Sequence, residues 1–350
     1  MYKIRIADKS DLGSLVQFID EHWKKDHIFV KSKELFDWQH FDCRRNRYNF
    51  VIGVEKQTNK IHGILGFIPL SQFDPEIKDD ELCWMAIWKV RDAARGHKLG
   101  RRLMDYLEKT VHPKIISTVA ASAMTMPMYE AKGYRTGILN HYYILNPIIT
   151  DYSLASVDGD FSMNAAPTKA AINKKLVQAT IDDIHSDISE CLINQNDLPK
   201  KSGNYLINRY FCHPIYKYQS YLIKEDNKTT GILITRICTH KEGKAIRIVD
   251  FVGPSDALHG LQTQWLELLD FHRSEYIDFY NSGIDDEDLC LSGFKLCRDG
   301  EKVTIPNYFE PFSSMRVNIS YMTSLSNEYN FRIVKGDSDQ DRPNILSSGT

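Results

Sequence analysis

Arg95, Lys98, Arg101 and Arg102 crowd around Gly96 and Gly100 in one short run of this sequence. The run follows an apolar, strand-like stretch, Trp84–Val90, and opens an amphipathic segment with Leu99, Leu103, Tyr106 and Leu107 on one face. A strand–turn–helix junction of this kind aims unpaired backbone N–H groups at one point, where the helix dipole also favours negative charge. The glycines admit a ligand to the main chain and the cations add attraction. The chemistry is that of a pyrophosphate cradle. About thirty residues on, a buried strand at 115–120 leads to Met126-Pro127-Met128-Tyr129, a short helix with proline near its start and Gly133 past its end. Taken singly, Tyr129 would serve equally as a core tyrosine.

Together these two stretches resemble the GNAT superfamily of acyl-CoA-dependent N-acyltransferases. Arg95 and Gly100 match the ends of its CoA motif, and Lys98 stands where the middle glycine falls. Tyr129 followed by Gly133-Tyr134 reproduces a second spacing of the family. The resemblance implies an α/β (α+β) GNAT fold, a mixed central sheet flanked by helices. It implies acyl-CoA as donor, with Trp88, Val90, Arg95, Gly96, His97, Lys98, Leu99, Gly100, Arg101 and Ala120 against it. Backbone groups of Val119 to Ala121 would replace the family's strand-end asparagine toward the pantetheine arm. The acyl carbonyl would be held by a backbone N–H within Ala86–Trp88, placed at Ile87 for definiteness. Tyr129, with a free phenol pKa of about 10 against a thiol near 8.5, would protonate or hydrogen-bond the departing thiolate. No general base is assigned, though His27 and His40 fall where acceptor pockets form.

The elements around these motifs follow in order. Tyr2–Ile6 alternates as a first strand, and Asp11–Trp23 reads as a helix capped by Ser10. Strands follow at Phe50–Glu55, Ile61–Leu70 and Leu82–Val90, then the cradle helix, the buried strand, the Tyr129 helix and a strand pair at Tyr134–Leu145. Residues 1–147 thus form the acyl-CoA-binding unit. Residues 148–203 have linker character, with an alanine-rich segment at 165–172. Residues 204–335 repeat the order of strands and helices, but their turn, Gly253-Pro254-Ser255-Asp256, is acidic. They read as a degenerate GNAT-like domain without a CoA site, serving the acceptor. The Asp- and Ser-rich residues 336–350 read as a disordered tail.

With 350 residues and a net charge of −2, the chain is long enough for two domains and carries no excess charge for nucleic acid. No apolar run reaches membrane-spanning length. The seven cysteines are scattered without a CxxC pair, which suits reduced thiols in a cytoplasmic protein and no metal. Two segments, 209–218 and 305–312, combine aromatic and polar side chains. Arg209, Tyr216, Asn307, Tyr308 and Glu310 are the acceptor candidates there, with aromatic faces for a nucleobase and cations for a pyrophosphate. The whole chain resembles two-domain N-acyltransferases that acylate dTDP-linked amino-deoxy sugars for bacterial surface polysaccharide, lipopolysaccharide O-antigen included. A peptide or aminoacyl acceptor, or a silent CoA-binding module, are the alternatives. A homodimer is left open.

Overall fold

The computed structural model describes residues 2–94, 96–158 and 173–346. Strand β1 (Tyr2–Asp8) leads through helices α1 (Leu12–Phe18) and α2 (Lys33–His40) to β2 (Arg47–Glu55), β3 (Ile61–Pro69) and β4 (Leu82–Val90). Helix α3 (Leu99–Thr110) crosses to β5 (Ile115–Val119), which runs parallel to β4. Helix α4 (Met126–Ala131), β6 (Arg135–Ile138) and β7 (Asn140–Leu145) follow. The second unit holds β8 (Lys174–Gln178), α5 (Ile181–Asn194), β9 (Gln219–Glu225), β10 (Lys228–His240) and β11 (Gly243–Val252). It continues with α6 (Gln262–His272), β12 (Tyr276–Ser282), α7 (Asp286–Leu291) and β13 (Lys295–Leu296). Two late strands, β14 (Ser320–Thr323) and β15 (Ile333–Val334), complete the sheets.

Both sheets are mixed. The first runs β1-β2-β3-β4-β5-β14-β6 and the second β8-β9-β10-β11-β12-β7-β13, with β15 added to β12. In each, an antiparallel meander ends in one parallel pair, β4 with β5 and β11 with β12, and an intervening helix makes the crossover. Helix α3 buries Leu99, Leu103, Met104 and Leu107 on the first sheet. Glycines make that approach possible: a Cβ at Gly53 would meet Leu99 at 2.8 Å, and one at Gly63 at 3.1 Å. A single apolar cluster joins the units, with Phe73, Trp84 and Val119 of the first packed among Leu206, Ile234, Val249 and Ile333.

Several boundaries depart from the sequence reading. Strand β7 pairs with β12 of the second sheet, while β14 returns to sit between β5 and β6. Local alternation marks a strand but not its partner, so the exchange left no trace in either segment. The stretch read as linker contributes β8 and α5; its alanine-rich part, 165–172, lies outside the described residues. Asp8, not Ser10, caps the first helical turn, its carboxylate accepting from the Ser10 N–H at 2.9 Å.

The largest correction concerns the tail. Asp337, Ser338, Asp339 and Asp341 are all buried. Arg209 donates to the carbonyls of Gly336 and Ser338 at 3.0 and 2.9 Å, and Arg236 holds Asp341. The polar composition that suggested disorder supplies these internal hydrogen bonds. Residues 336–346 form a strap between the two units.

Candidate active site

Strands β4 and β5 pair only from Leu82–Ile115 to Trp84–Ser117 and then diverge. At the fork the Thr118 hydroxyl donates to the carbonyl of Met85 at 3.1 Å. A channel of about 380 Å³ opens beyond it, walled by Met85–Val90 on one side and Thr118–Ser122 on the other. Along its wall β4 is bulged: Leu65 faces Trp88 and Phe67 faces Met85, so Ala86 and Ile87 together oppose Gly66. Such a bulge re-aims the backbone. The Ile87 side chain packs with Phe18 and Phe50 in the core, so only its main chain is available to the channel.

The basic turn stands at the start of α3. Gly96 (φ +87°) and Lys98 (φ +54°) both take left-handed backbone, and the first helical bond closes from the Arg102 N–H to the Lys98 carbonyl. The N–H groups just before Arg102 have no intrahelical acceptor by helix geometry. Leu99 is buried, whereas Gly96, His97, Lys98 and Arg101 are exposed. Trp88 and Val90 pack beneath the turn; a Cβ on Gly100 would lie 3.6 Å from the Trp88 indole nitrogen. Arg95 lies outside the described residues. A glycine-containing turn, cations and free amides at a helix start suit the phosphates of a CoA.

Tyr129 lies in the channel wall, 2% exposed, its ring 6.3 Å from that of Trp88. Burial pushes its phenol up, against a hydrogen bond from Thr125, so it stays protonated and able to donate. Ala120 is exposed and left-handed (φ +56°). Its N–H is committed to the Ser320 carbonyl at 2.7 Å, and the Ser320 hydroxyl donates to the Ala121 carbonyl at 2.6 Å. Those two groups, expected to face the pantetheine arm, instead bind β14.

Four acceptor candidates converge. Tyr216, Asn307, Tyr308 and Glu310 line one small cavity, with the Tyr216 hydroxyl donating to Glu310 at 2.8 Å. Asn307 acts as a brace, its side chain bonded to both the N–H and the carbonyl of Val317. The other three candidates lie elsewhere. Arg209 is buried between Trp38 and Phe73, 5.0 Å from each ring, and its duty is to anchor the strap. His27 and His40 are buried around Phe29 and held neutral, each with a pKa of about 3, chiefly by burial.

The sequence reading missed the groups that connect these places. Asp339, Gln340 and Arg342 of the strap line the forked channel, and Gln340 and Arg342 also line the small cavity of the second unit. On the facing sheet, Arg236 and Arg247 complete that cavity with Lys335. Arg247 holds the buried Asp278 through two bonds of 3.0 and 2.6 Å, and His141 reaches the same carboxylate at 3.1 Å. Burial would raise the Asp278 carboxyl, but Arg247 and His141 override it and leave it at about 2. The alternating pattern Arg236, Cys238 and Arg247, Val249 was a legible signal of cations on one sheet face; it was read only as strand.

The second unit closes the corresponding fork. Beyond Ile248–Phe279, β11 and β12 are separated by the chain at 332–336: β15 pairs with Asn281 and Ser282, and the Gly336 N–H donates to the Val249 carbonyl at 2.8 Å. Outside it lies a broad cleft of about 890 Å³ near Pro254–Ala257, lined by Asp197, Asp256, Asp285 and Asp288. That acidic lining repels phosphates, so this larger cavity is a poorer cradle than the basic turn.

Residues 15–134 match the acetyltransferase (GNAT) family. Among curated proteins, none matches the chain in sequence. The fold is similar to that of a GCN5-related N-acetyltransferase from Anabaena variabilis, at 16% identity and TM-score 0.55, covering 92% of this chain and 72% of that one. A GCN5-related N-acetyltransferase from Kribbella flavida is similar at 12% identity and TM-score 0.52, over 92% and 70% of the two chains. The forked sheet, the basic helix start and the family match all fall in the same N-terminal residues, and a second mixed sheet follows them.

Proposed function

We propose that this chain is an acyl-CoA-dependent N-acyltransferase whose acceptor is a nucleotide-linked amino-deoxy sugar. The observation that carries the reading is that two separate spaces border the same strap residues. The forked donor channel and the cavity of the second unit share Gln340 and Arg342.

The residues divide the work as follows. The N–H groups at the start of α3, with Lys98 and Arg101, hold the donor's phosphates. The bulged main chain at Ala86–Trp88 supplies N–H to the thioester carbonyl, where negative charge develops as the amine attacks. Tyr129, protonated and desolvated, donates to the departing sulfur. The amine arrives neutral; channel water suffices to take its proton, because His27 and His40 are buried in the core. Tyr216 is already stacked by Arg236 and His213, so the half-buried Tyr308 at the cavity is the aromatic group left to meet the acceptor.

Steady-state kinetics with acetyl-CoA and a dTDP-linked amino sugar, beside the nucleotide-free sugar, tests the reading. A catalytic efficiency at least 10²-fold higher for the nucleotide-linked form is the expected result, since remote binding energy positions the amine. Equal efficiency on both removes the nucleotide and favours a peptide-type acceptor. No thioester consumption with any amine, despite CoA binding, favours the silent module.

A further inference from the structure

The cavity beneath the hairpin formed by Tyr308–Phe309 and Phe312–Ser313 carries more positive charge than its own carboxylates use. Its two acidic side chains are committed. Asp341 is gripped by Arg236 at 2.8 and 3.2 Å and by the Tyr218 hydroxyl at 2.7 Å. Glu310 accepts from Tyr216 and from the Asn344 N–H, each at 2.8 Å. Behind them Asp278 is taken up by Arg247 and His141. Lys335 is left over. It is 3% exposed, it lines the cavity, and its ammonium has no ion pair among the described residues. Its contacts there are two aromatic faces, Tyr308 at 5.4 Å and Tyr280 at 5.6 Å.

An ammonium buried without a counter-charge is costly, and a site that keeps one is incomplete. The cavity volume of about 40 Å³ is room for roughly three waters, the space of a carboxylate or phosphate group. We propose that Lys335, with Arg342, which is already held by Asp339 at 3.5 Å and Asn344 at 2.9 Å, forms an oxyanion subsite, so that the acceptor is an amine carrying a phosphate or carboxylate group. Arg342 lines both this cavity and the forked channel, so an anion held here lies one side chain away from the channel. The placement of the amine rests on the acyl-transfer reading; the anion subsite does not. Burial, then the neighbouring Arg247, lowers the lysine to about 7, against the pull of Asp341 and Asp278, as befits a cation awaiting a partner.

The test is calorimetric titration of inorganic phosphate and, separately, acetate into the full chain saturated with CoA, which occupies the basic turn. Should CoA fail to bind, the Gly100→Glu chain blocks that turn instead, so failure of the donor reading stays separate. One anion is expected to bind per chain, and the better of the two identifies the acidic group. Lys335→Met is expected to weaken it at least tenfold, and Lys335→Arg to retain it within about threefold. Lys335→Met should also raise the melting temperature of the anion-free chain by several degrees, which shows that it folds. Binding of neither anion, or equal binding by the methionine variant, overturns the proposal.

Discussion

The hydroxyl of Ser338 donates to the carbonyl of Met85 at 2.9 Å, joining residues 253 positions apart. Met85 is the point at which β4 leaves β5, so this bond fastens the strap to the fork of the channel. The same carbonyl accepts from Thr118. One oxygen therefore registers three segments: the two diverging strands and the chain that closes over them.

Ser338→Ala removes one of those two donors and leaves Met85 satisfied by Thr118. The stability cost is expected to be about 1 kcal/mol by urea unfolding. Gln340 and Arg342 lose their anchor, so KM for the acceptor should rise severalfold while CoA affinity holds. A variant with unaltered acceptor KM would separate the strap from the site.

Tyr129→Phe keeps the buried ring and deletes the donor. Turnover is expected to fall on the order of 10²-fold with little change in CoA affinity, because the hydrogen bond strengthens as charge develops on sulfur. Pre-steady-state acyl transfer measures this directly. Wild-type chemistry in the variant would make Tyr129 a packing residue.

Gly100→Glu places a carboxylate against the phosphate cradle. A Cβ at that position meets Trp88 only at an ordinary contact distance of 3.6 Å, so the protein should fold. CoA binding, followed by calorimetry, is expected to disappear while the melting temperature stays within a few degrees. Retained binding would move the donor site elsewhere.

Lys98→Gly relieves a left-handed residue (φ +54°) at the first turn of α3. An L-residue pays roughly 1 kcal/mol there, of which the greater unfolded-chain freedom of glycine returns part. A net gain of about 0.5 kcal/mol in unfolding free energy, with CoA affinity falling severalfold as one exposed phosphate cation is lost, is the expected outcome. A loss of stability would show that the lysine side chain is itself anchored.

Four histidines give stability a definite acid dependence. Burial lowers His27, His40 and His213 from 6.5 to about 3 and His141 to about 4. Two have a geometric reason to stay neutral, since Nδ1 of His27 accepts from the Phe29 N–H and Nδ1 of His213 from those of Ile215 and Tyr216. Above pH 6.5 folded and unfolded chains are alike in these groups, which then contribute nothing. Below it the unfolded chain takes up protons that the folded chain refuses. Each site thus costs about 1.4 kcal/mol per pH unit until its folded pKa is reached. Unfolding free energies measured at pH 7.5 and 5.5 should fall by several kcal/mol; a flat profile would contradict neutral burial.

Much of the candidate donor site was legible because the signals that mark it are local. The turn, α3 and the Tyr129 helix each announce themselves through glycine, proline and apolar spacing. What escaped was contributed from a distance. Lys335, Gln340 and Arg342 sit in a polar run with no periodicity, and only the arginines and carbonyls waiting for them give that run a path. Arg209 misled for the converse reason: an arginine among aromatics looks like a ligand contact, yet here the aromatics are Trp38 and Phe73 of the other unit. Likewise His27 and His40 were near the acceptor region in sequence, but their apolar neighbours draw them into the core.

The traded strands set the smallest piece of this chain that can stand alone. A fragment ending near residue 147 would keep β7, whose partners β12 and β13 are gone, and would lack β14, leaving β5 and β6 with bare facing edges. Open edges of that kind recruit other chains. Cutting later does not help, because β14 comes after the whole second sheet. The two halves cannot be bisected by any single cut, so a library of truncations would return aggregates where it sought domains, and any division of labour between the halves must be mapped by point substitution.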